Sequence, residues 1–235
     1  MRTPQLITAA VTLLLTAALA CQKVKNVPSP VSFTIVHAMA TGNAIATQLG
    51  SDTSGKYWNA MINIYYGGSQ LYSSIAGTTP VVIVPITDTG FNIFNGKLPL
   101  TSGGIYSLFL SGDTLHADTL LVKDNIPYYA DSSVGIRFVN LSIGGKAVTI
   151  DLDTSPGTNE FPAFGYKTIT DFKKYSAIST VGGVYNFEIR DQATGDSLTT
   201  YSWYYTVGKN NTIVIAGSPD PTSPTPLNVF SVNNF

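Results

Sequence analysis

From residue 31 onward, apolar and polar side chains exchange places with a period of two, the spacing of a strand that buries one face. The segments "VSFTIVHAM" (31–39), "NAMINIYY" (59–66), "PVVIVPI" (80–86), "GGIYSLFLSG" (103–112) and "HADTLLVKD" (116–124) predict strands bounded by turn-forming residues. A second series follows with "VGIRFVNLS" (134–142), "KAVTIDLD" (146–153), "GGVYNFEIRD" (182–191), "SLTTYSWYYTV" (197–207), "NTIVIAGS" (211–218) and "LNVFSVNNF" (227–235). Only "TDFKKYS" (170–176) suggests a helical turn. Many short strands at short spacing predict an all-β chain of antiparallel β-sandwiches rather than a parallel sheet.

The two series resemble each other. "SFTIVHAM" (32–39) matches "GIRFVNLS" (135–142), and "GGIYSLFL" (103–110) matches "GGVYNFEI" (182–189). The first pair lies further apart than the second, so the first copy is expected to hold an extra stretch within 41–80. "NIPYYADSS" (125–133) contains Pro127 and reads as a linker. The expected organisation is therefore two tandem sandwiches, 31–126 and 134–235, joined by 127–133. The proline-rich "SPDPTSPTP" (218–226) should cross to a last strand in the second sandwich.

Residues 1–20 stand apart. Arg2 is their only charge, and "LITAAVTLLLTAALA" (6–20) is an unbroken apolar run ending in small residues. It is shorter than the roughly 20 residues that cross a hydrocarbon core, and the pattern predicts a cleaved secretory signal peptide. Cys21 follows directly and is the sole cysteine, which excludes an internal disulfide. Ala18-Leu19-Ala20-Cys21 resembles the lipobox of bacterial lipoproteins, although Ala18 stands where that pattern usually has Leu. The resemblance implies cleavage before Cys21 and lipidation of its thiol, with 21–30 as lipidated cysteine and tether. No Asp follows Cys21 to suggest retention at an inner membrane, so the expected place is the outer membrane, with the face left open.

The strands "VGIRFVNLS…VTIDL…TDFKKYS…GGVYNFEIRD…NTIVIAG" resemble the domain of unknown function 4397 family, which occurs in secreted and lipid-anchored bacterial proteins, often in tandem. The second half matches over about 134–218; the first matches more loosely through "FTIVHAM", "GGIYSLFLSGD" and "DTLLVKDNIPYY". The resemblance implies immunoglobulin-like β-sandwiches outside the cytoplasm and brings no catalytic residue.

Composition narrows the function classes. Across 235 residues, 13 Lys+Arg against 14 Asp+Glu give a net charge of -1, without the basic footprint of a nucleic-acid binder. At 44% hydrophobic residues the chain can close a core, which excludes disorder. His37 and His116 form no ligand pair; His37, at a strand end, suits capping or packing. His116 shares a strand face with Asp118, but no Gly-x-Ser-x-Gly elbow supplies a nucleophile. Asp151 and Asp153 alternate outward in "VTIDLD", about 7 Å apart, a spacing compatible with a glycosidase pair. Outward strand carboxylates stay wet and ionised, so solubilising the sheet is the better expectation. With Glu160 they could form a calcium site, yet no dense Asp/Asn/Gly loop accompanies them. "GFNIFNGK" (90–97) lacks the spacing of a phosphate loop.

Tyr201, Trp203 and Tyr205 alternate onto one strand face. Such a row forms either a ligand platform for sugar rings or a partner protein, or packing between sheets, and most aromatic strand rows are core. The expected function is that of a non-enzymatic outer-membrane lipoprotein acting as a binding, adhesion or scaffold module. Its partners would be the membrane, through lipid on Cys21, and a cell-envelope protein or glycan, with no cofactor, metal or nucleic acid. The alternative is a glycan-binding accessory lipoprotein of a polysaccharide uptake system, which would need at least two coplanar, solvent-facing rings.

Overall fold

The computed structural model describes residues 29–40, 43–50, 61–113, 116–144, 146–178, 183–220, 222–223 and 225–234. The signal segment 1–20, Cys21 and the tether up to residue 28 lie outside the described residues. The fold is all-β. The first half contributes β1 (Pro30–His37), β2 (Ile45–Leu49), β3 (Asn63–Ile64), β4 (Ser69–Ile75), β5 (Gly77–Pro85), β6 (Phe94–Leu100), β7 (Ile105–Gly112) and β8 (Ala117–Lys123). The second contributes β9 (Ser133–Ser142), β10 (Val148–Leu152), β11 (Phe161–Phe164), β12 (Thr168–Ile169), β13 (Lys173–Ser176), β14 (Val184–Asp191), β15 (Ser197–Tyr204), β16 (Asn211–Gly217) and β17 (Asn228–Asn233).

Each half pairs an inner sheet with an outer one. The first has β4-β1-β7-β8 inside and β3-β2-β5-β6 outside; the second has β12-β9-β16-β17 inside and β11-β10-β14-β15 outside, with β13 also on β9. The two halves repeat one topology strand for strand. In both, the first strand runs parallel to the last but one: Ile35 faces Leu108 across β1 and β7, and Phe138 faces Ile213 across β9 and β16. The single strand β4 corresponds to β12 and β13 together, since Ser69–Ile75 and Thr168–Ser176 run along the same edge of β1 and β9.

This topology corrects part of the repeat read from sequence. The two Gly-Gly-aliphatic-Tyr strands are not equivalent: β7 lies in an inner sheet beside β1, and β14 in an outer sheet beside β10. That motif records a turn entering a strand, which is a local property, and is silent on the strand's partner. The true counterparts are β7 with β16 and β5 with β14, so the large extra stretch expected in the first copy is not needed. The helical turn expected at 170–176 is also absent, because Lys173–Ser176 forms strand β13 paired with Ser133–Ile136.

Three apolar layers hold four stacked sheets. Phe33, Ile35, Ile83, Leu108 and Leu110 lie in the core of the first half. Phe138, Ile150, Phe187, Ile189 and Ile213 lie in that of the second. Between the inner sheets, Val36 and Phe109 pack against Val139, Leu141, Val214 and Val232. Every residue of β9 and β16 is buried, as expected for strands covered on both faces. Polar contacts end this shared layer. At one end Arg137 Nη2 meets Asp124 Oδ1 at 2.5 Å, with only 4% and 1% of the side chains exposed. Arg137 Nε donates to Thr212 Oγ1 and Ser107 Oγ donates to Asp124, while the Phe172 ring lies 4.5 Å from the guanidinium carbon.

At the other end Lys167 pairs with Asp118 at 2.6 Å, and the Tyr166 hydroxyl hydrogen-bonds Ser111 Oγ. Burial pushes the Asp118 carboxyl up, but Lys167, the Thr119 N–H and Tyr166 outweigh it and hold it below the usual carboxylate range. The matching place in the first half is Tyr66-Gly67, where Tyr66 meets Phe230 of β17 edge-on. Gly67 and Lys167 both take positive φ and donate their N–H to the carbonyls of His37, the last residue of β1, and of Asn140, its counterpart near the end of β9. Thus β8 rests on the turn before β12, and β17 on the turn before β4. The halves meet like the subunits of an isologous dimer.

Candidate functional site

An open groove lies on the outer sheet of the second half. Strand register makes it: β10 and β14 place Thr149 opposite Arg190 and Asp151 opposite Glu188, all on the face away from the core. Asp151 is only 1% exposed because the β10–β11 connection folds over it. Its two oxygens accept the N–H groups of Gly157 at 3.0 Å and Asn159 at 2.7 Å, and the turn puts Asn159 at φ 49°. Arg190 faces the same carboxylate at 3.2 Å through Nε, as an ion pair whose N–H is not aligned for a hydrogen bond. Its other nitrogens bind Glu188 and the Gly195 carbonyl.

Asp191 completes one wall. Lys146 bonds it at 2.8 Å and the Ala193 N–H at 2.9 Å, and the Lys146 ammonium holds its carboxyl below the usual carboxylate range. The resulting open groove of about 670 Å³ is lined by Asp151, Arg190 and Asp191 together with Pro162, Ala163 and Gln192. It presents the partly exposed guanidinium of Arg190, held in orientation by carboxylates that are themselves largely buried, beside a small apolar wall. Such a surface suits a polar ligand that offers acceptors to the guanidinium.

The sequence expectation for Asp151 therefore needs correction. Its side chain leaves the sheet on the outward face, but a loop covers it and its oxygens are saturated with donors. A general acid must hold a proton to give, and Asp151 is built as an acceptor. Asp153 is exposed and accepts from Asn186. Glu160 takes the Tyr175 hydroxyl and Lys173, each at 2.7 Å, rather than joining the aspartates. Among the described residues, no group of three His, Cys, Asp or Glu side chains can hold a metal ion.

The aromatic row turns inward. Trp203 is 2% exposed and packs with Tyr201 and Tyr205 against the core of the second half. Trp203 lies nearly parallel to Tyr185, with ring centres 6.2 Å apart, and the Tyr205 hydroxyl donates to the Ile178 carbonyl. Of the two readings of the row, the geometry supports packing, and the platform is corrected: the exposed aromatic residue of β15 is Tyr204, at 76%. His37 is fully buried, as a cap. Its Nε2 hydrogen-bonds the Asn43 carbonyl and its Nδ1 accepts the Met39 N–H. His116 is exposed and contacts Asp113, away from Asp118.

Arg190 and Glu188 were missed as site residues. Their signal was present in "GGVYNFEIRD", where Glu and Arg stand two apart and so share a face. Pairing them with Asp151 required the register of β10 on β14, which the sequence does not state.

No protein-family model matches the chain, and no curated protein matches it. Several solved structures resemble it at low similarity. The TIE protein of Bacillus anthracis is 11% identical, with 82% of this chain covered and a TM-score of 0.23; this chain spans about a third (34%) of that protein's length. A streptococcal virulence factor described as binding alpha-glucan is 11% identical, with 85% of this chain and 95% of that one covered and a TM-score of 0.25. An adhesin-like protein from Bacteroides ovatus is 10% identical, with 90% and 94% covered and a TM-score of 0.23. At such scores these likenesses assign no ligand to this chain.

Proposed function

We propose that the chain is a non-enzymatic, lipid-anchored module of the outer membrane that binds a cell-envelope partner through the groove beside Arg190. It would be a tandem protein of the type that the domain of unknown function 4397 family represents. One observation carries the binding surface: the duplicated scaffold contains its own control. At the positions of Thr149, Asp151, Glu188 and Arg190, the first half has Ala46, Gln48, Val82 and Val84, in the same strand register. There Ala46, Val82 and Val84 are buried with Met61 against them. The fold thus forms without any charge at these places, so the charged set on the second copy, with Arg190 partly exposed, is not demanded by the scaffold and can serve a ligand.

The glycan-binding alternative loses Trp203 as a platform and retains only the polar groove. Its discriminating feature, two coplanar solvent-facing rings, does not occur in the row at Tyr201, Trp203 and Tyr205. A photo-crosslinking residue at the exposed Gln192, on the groove rim, tests the proposal in cells. The expected result is one dominant adduct, protein or polysaccharide, which disappears in Arg190→Val. Absence of any adduct that depends on Arg190 would reject the groove as the binding surface. The anchor has its own test: Cys21→Ser should release the protein from membranes and block lipid-dependent processing.

A further inference from the structure

The described chain begins at one pole of the four-sheet stack. The Ser29 carbonyl accepts the Ala76 N–H, Pro30 pairs with Ile75, and the Ser32 N–H donates to Gly104. The same pole carries the crossing between the halves. There the Asn210 side chain accepts the Gly135 N–H at 2.6 Å and donates to the Pro127 carbonyl at 2.7 Å. That clasp fixes a cleft of about 350 Å³ whose lining includes Ile105, Ile126, Pro127, Tyr128 and Tyr129. Asp124, at the foot of the crossing, is tied to Arg137. The crossing is thus pinned at both ends rather than slack.

Large apolar side chains stand uncovered around this pole. Tyr128 is 90% exposed, Tyr204 76%, Ile75 62%, Val207 57% and Ile178 47%. They come from both halves and are brought together by the stacking. Ile178 and Tyr204 lie at the same end of the second half, since Tyr205, next to Tyr204, bonds the Ile178 carbonyl. Val207 adjoins Gly208, which lines the cleft with Tyr128. Lys123 and Lys209 are exposed beside them, and Asp131, the exposed acid of the crossing, is paired with Lys174 at 2.7 Å. The charge-bearing groove at Arg190 and Gln192 lies toward the opposite end of β14, away from Val184 and its partner Tyr204.

We infer that this pole rests on the membrane, with Tyr128, Val207 and Tyr204 at the headgroup–acyl boundary and the groove pointing away. Chain length and its point of exit identify the occupant. Cys21 stands eight residues before Ser29, and at about 3.3–3.6 Å per extended residue the tether reaches no further than roughly 30 Å. A lipid at Cys21 therefore holds the end from which the chain leaves close to the bilayer. Tyrosines and apolar tips suit the interface, and lysines suit anionic headgroups. The inference rests on the lipid-anchor reading of Cys21.

The experiment uses the full mature chain in vesicles of phosphatidylethanolamine and phosphatidylglycerol carrying brominated acyl chains. Lipidation consumes the thiol of Cys21, so an environment-sensitive fluorophore can be placed at Tyr128→Cys, Val207→Cys or Tyr65→Cys. Tyr65, 66% exposed, lies beyond the other end of β1, since Gly67, two residues on, bonds the His37 carbonyl. Quenching should be several-fold stronger at 128 and 207 than at 65. Equal quenching at all three sites, in protein that floats with the vesicles, overturns the orientation and leaves the anchor standing. A mass without diacylglycerol on Cys21 overturns the anchor and the orientation together. A fluorophore at 128 that is shielded in the absence of vesicles, in proportion to protein concentration, identifies a second copy as the occupant and also overturns the inference.

Discussion

His37 and Asn140 do one job with two chemistries. Each stands at or near the end of the first strand of its half. His37 reaches the Asn43 carbonyl and takes the Met39 N–H; Asn140 donates to the Lys146 carbonyl and takes the Ser142 N–H. What the fold requires there is one donor and one acceptor at a fixed reach, and either side chain supplies both. The outer sheets teach the opposite lesson. Where β2 and β5 carry Ala46, Val82 and Val84, the corresponding strands β10 and β14 carry Thr149, Glu188 and Arg190. One backbone thus tolerates an apolar and a charged face, which marks those positions as free to specialise.

The largest effect should come from the contact that makes two copies one body. Asp124→Ala leaves Arg137 charged and buried with only Thr212 and a ring face. Removing one partner of such a pair costs about 3–5 kcal/mol. Urea unfolding should show this loss, together with two separated transitions where the wild type unfolds in one. A single unshifted transition would mean that the halves do not depend on this pair.

A second comparison uses two glycines. Gly112 and Gly217 take φ of 82° and 81°, and a Cβ at either would stand 2.1 or 2.2 Å from a backbone carbonyl oxygen, of His116 and Pro226 respectively. Neither oxygen belongs to a flexible side chain. Gly112→Ala and Gly217→Ala should therefore each cost about 2–4 kcal/mol, and by similar amounts. Unequal losses would show that the chain returning from β7 to β8 and from β16 to β17 yields differently in the two copies.

Much of this symmetry was legible in the sequence, though not its exact pairing. The strands with strong apolar content, β1, β5, β7, β9, β14 and β16, stand out because they line cores. β4 escaped because its alternation is written in Ser and Gln around Leu71 and Ile75, with no apolar face to detect. β6 was hidden by Gly96 and Pro99, which an edge strand tolerates where its N–H groups face solvent. In "TDFKKYS" the Thr and Asp resemble a helix start, yet Thr170 spends its hydroxyl on the Phe138 N–H and the segment pairs with β9. The shared layer was invisible for a related reason: Val36 and Phe109 point outward from one sandwich, a place where alternation predicts solvent. For the site, the alternation placed Asp151 on the correct face. Its burial depends on the loop at 156–159, whose N–H groups carry no compositional mark.

The two caps make a smaller, pH-dependent prediction. Burial lowers the pKa of His37, and its bond to Asn43 only partly opposes this. On acidification the unfolded chain takes up this proton near the ordinary value of 6.5, before the folded chain does. Stability is therefore full above that pH and falls as pH drops toward the folded value. His37→Asn, which copies the cap of the second half, should remove this loss. The lost ring contact with Tyr66 should cost about 1–2 kcal/mol at neutral pH. Denaturant midpoints at pH 7 and pH 5 measure both. An unchanged pH dependence between 7 and 5 in the variant would assign the acid sensitivity to a group other than His37; Asp118 and Asp191, whose lowered values place their loss at more acidic pH, would not account for it.

The smallest expected stability change belongs to the positions that differ most. Glu188→Val with Arg190→Val gives the second copy the residues that Val82 and Val84 supply in the first. Valine suits a strand, and the pair removed is partly exposed, so its own contribution is about 0–1 kcal/mol. Asp151 loses the guanidinium but keeps the N–H groups of Gly157 and Asn159, which hold the loop and satisfy both oxygens. The double variant should therefore unfold within about 1 kcal/mol of wild type while losing the adduct at Gln192. A loss of several kcal/mol would instead make Arg190 a structural counter-ion for Asp151. The charged face would then be part of what closes the second copy, and the contrast between the two outer sheets would concern stability rather than binding.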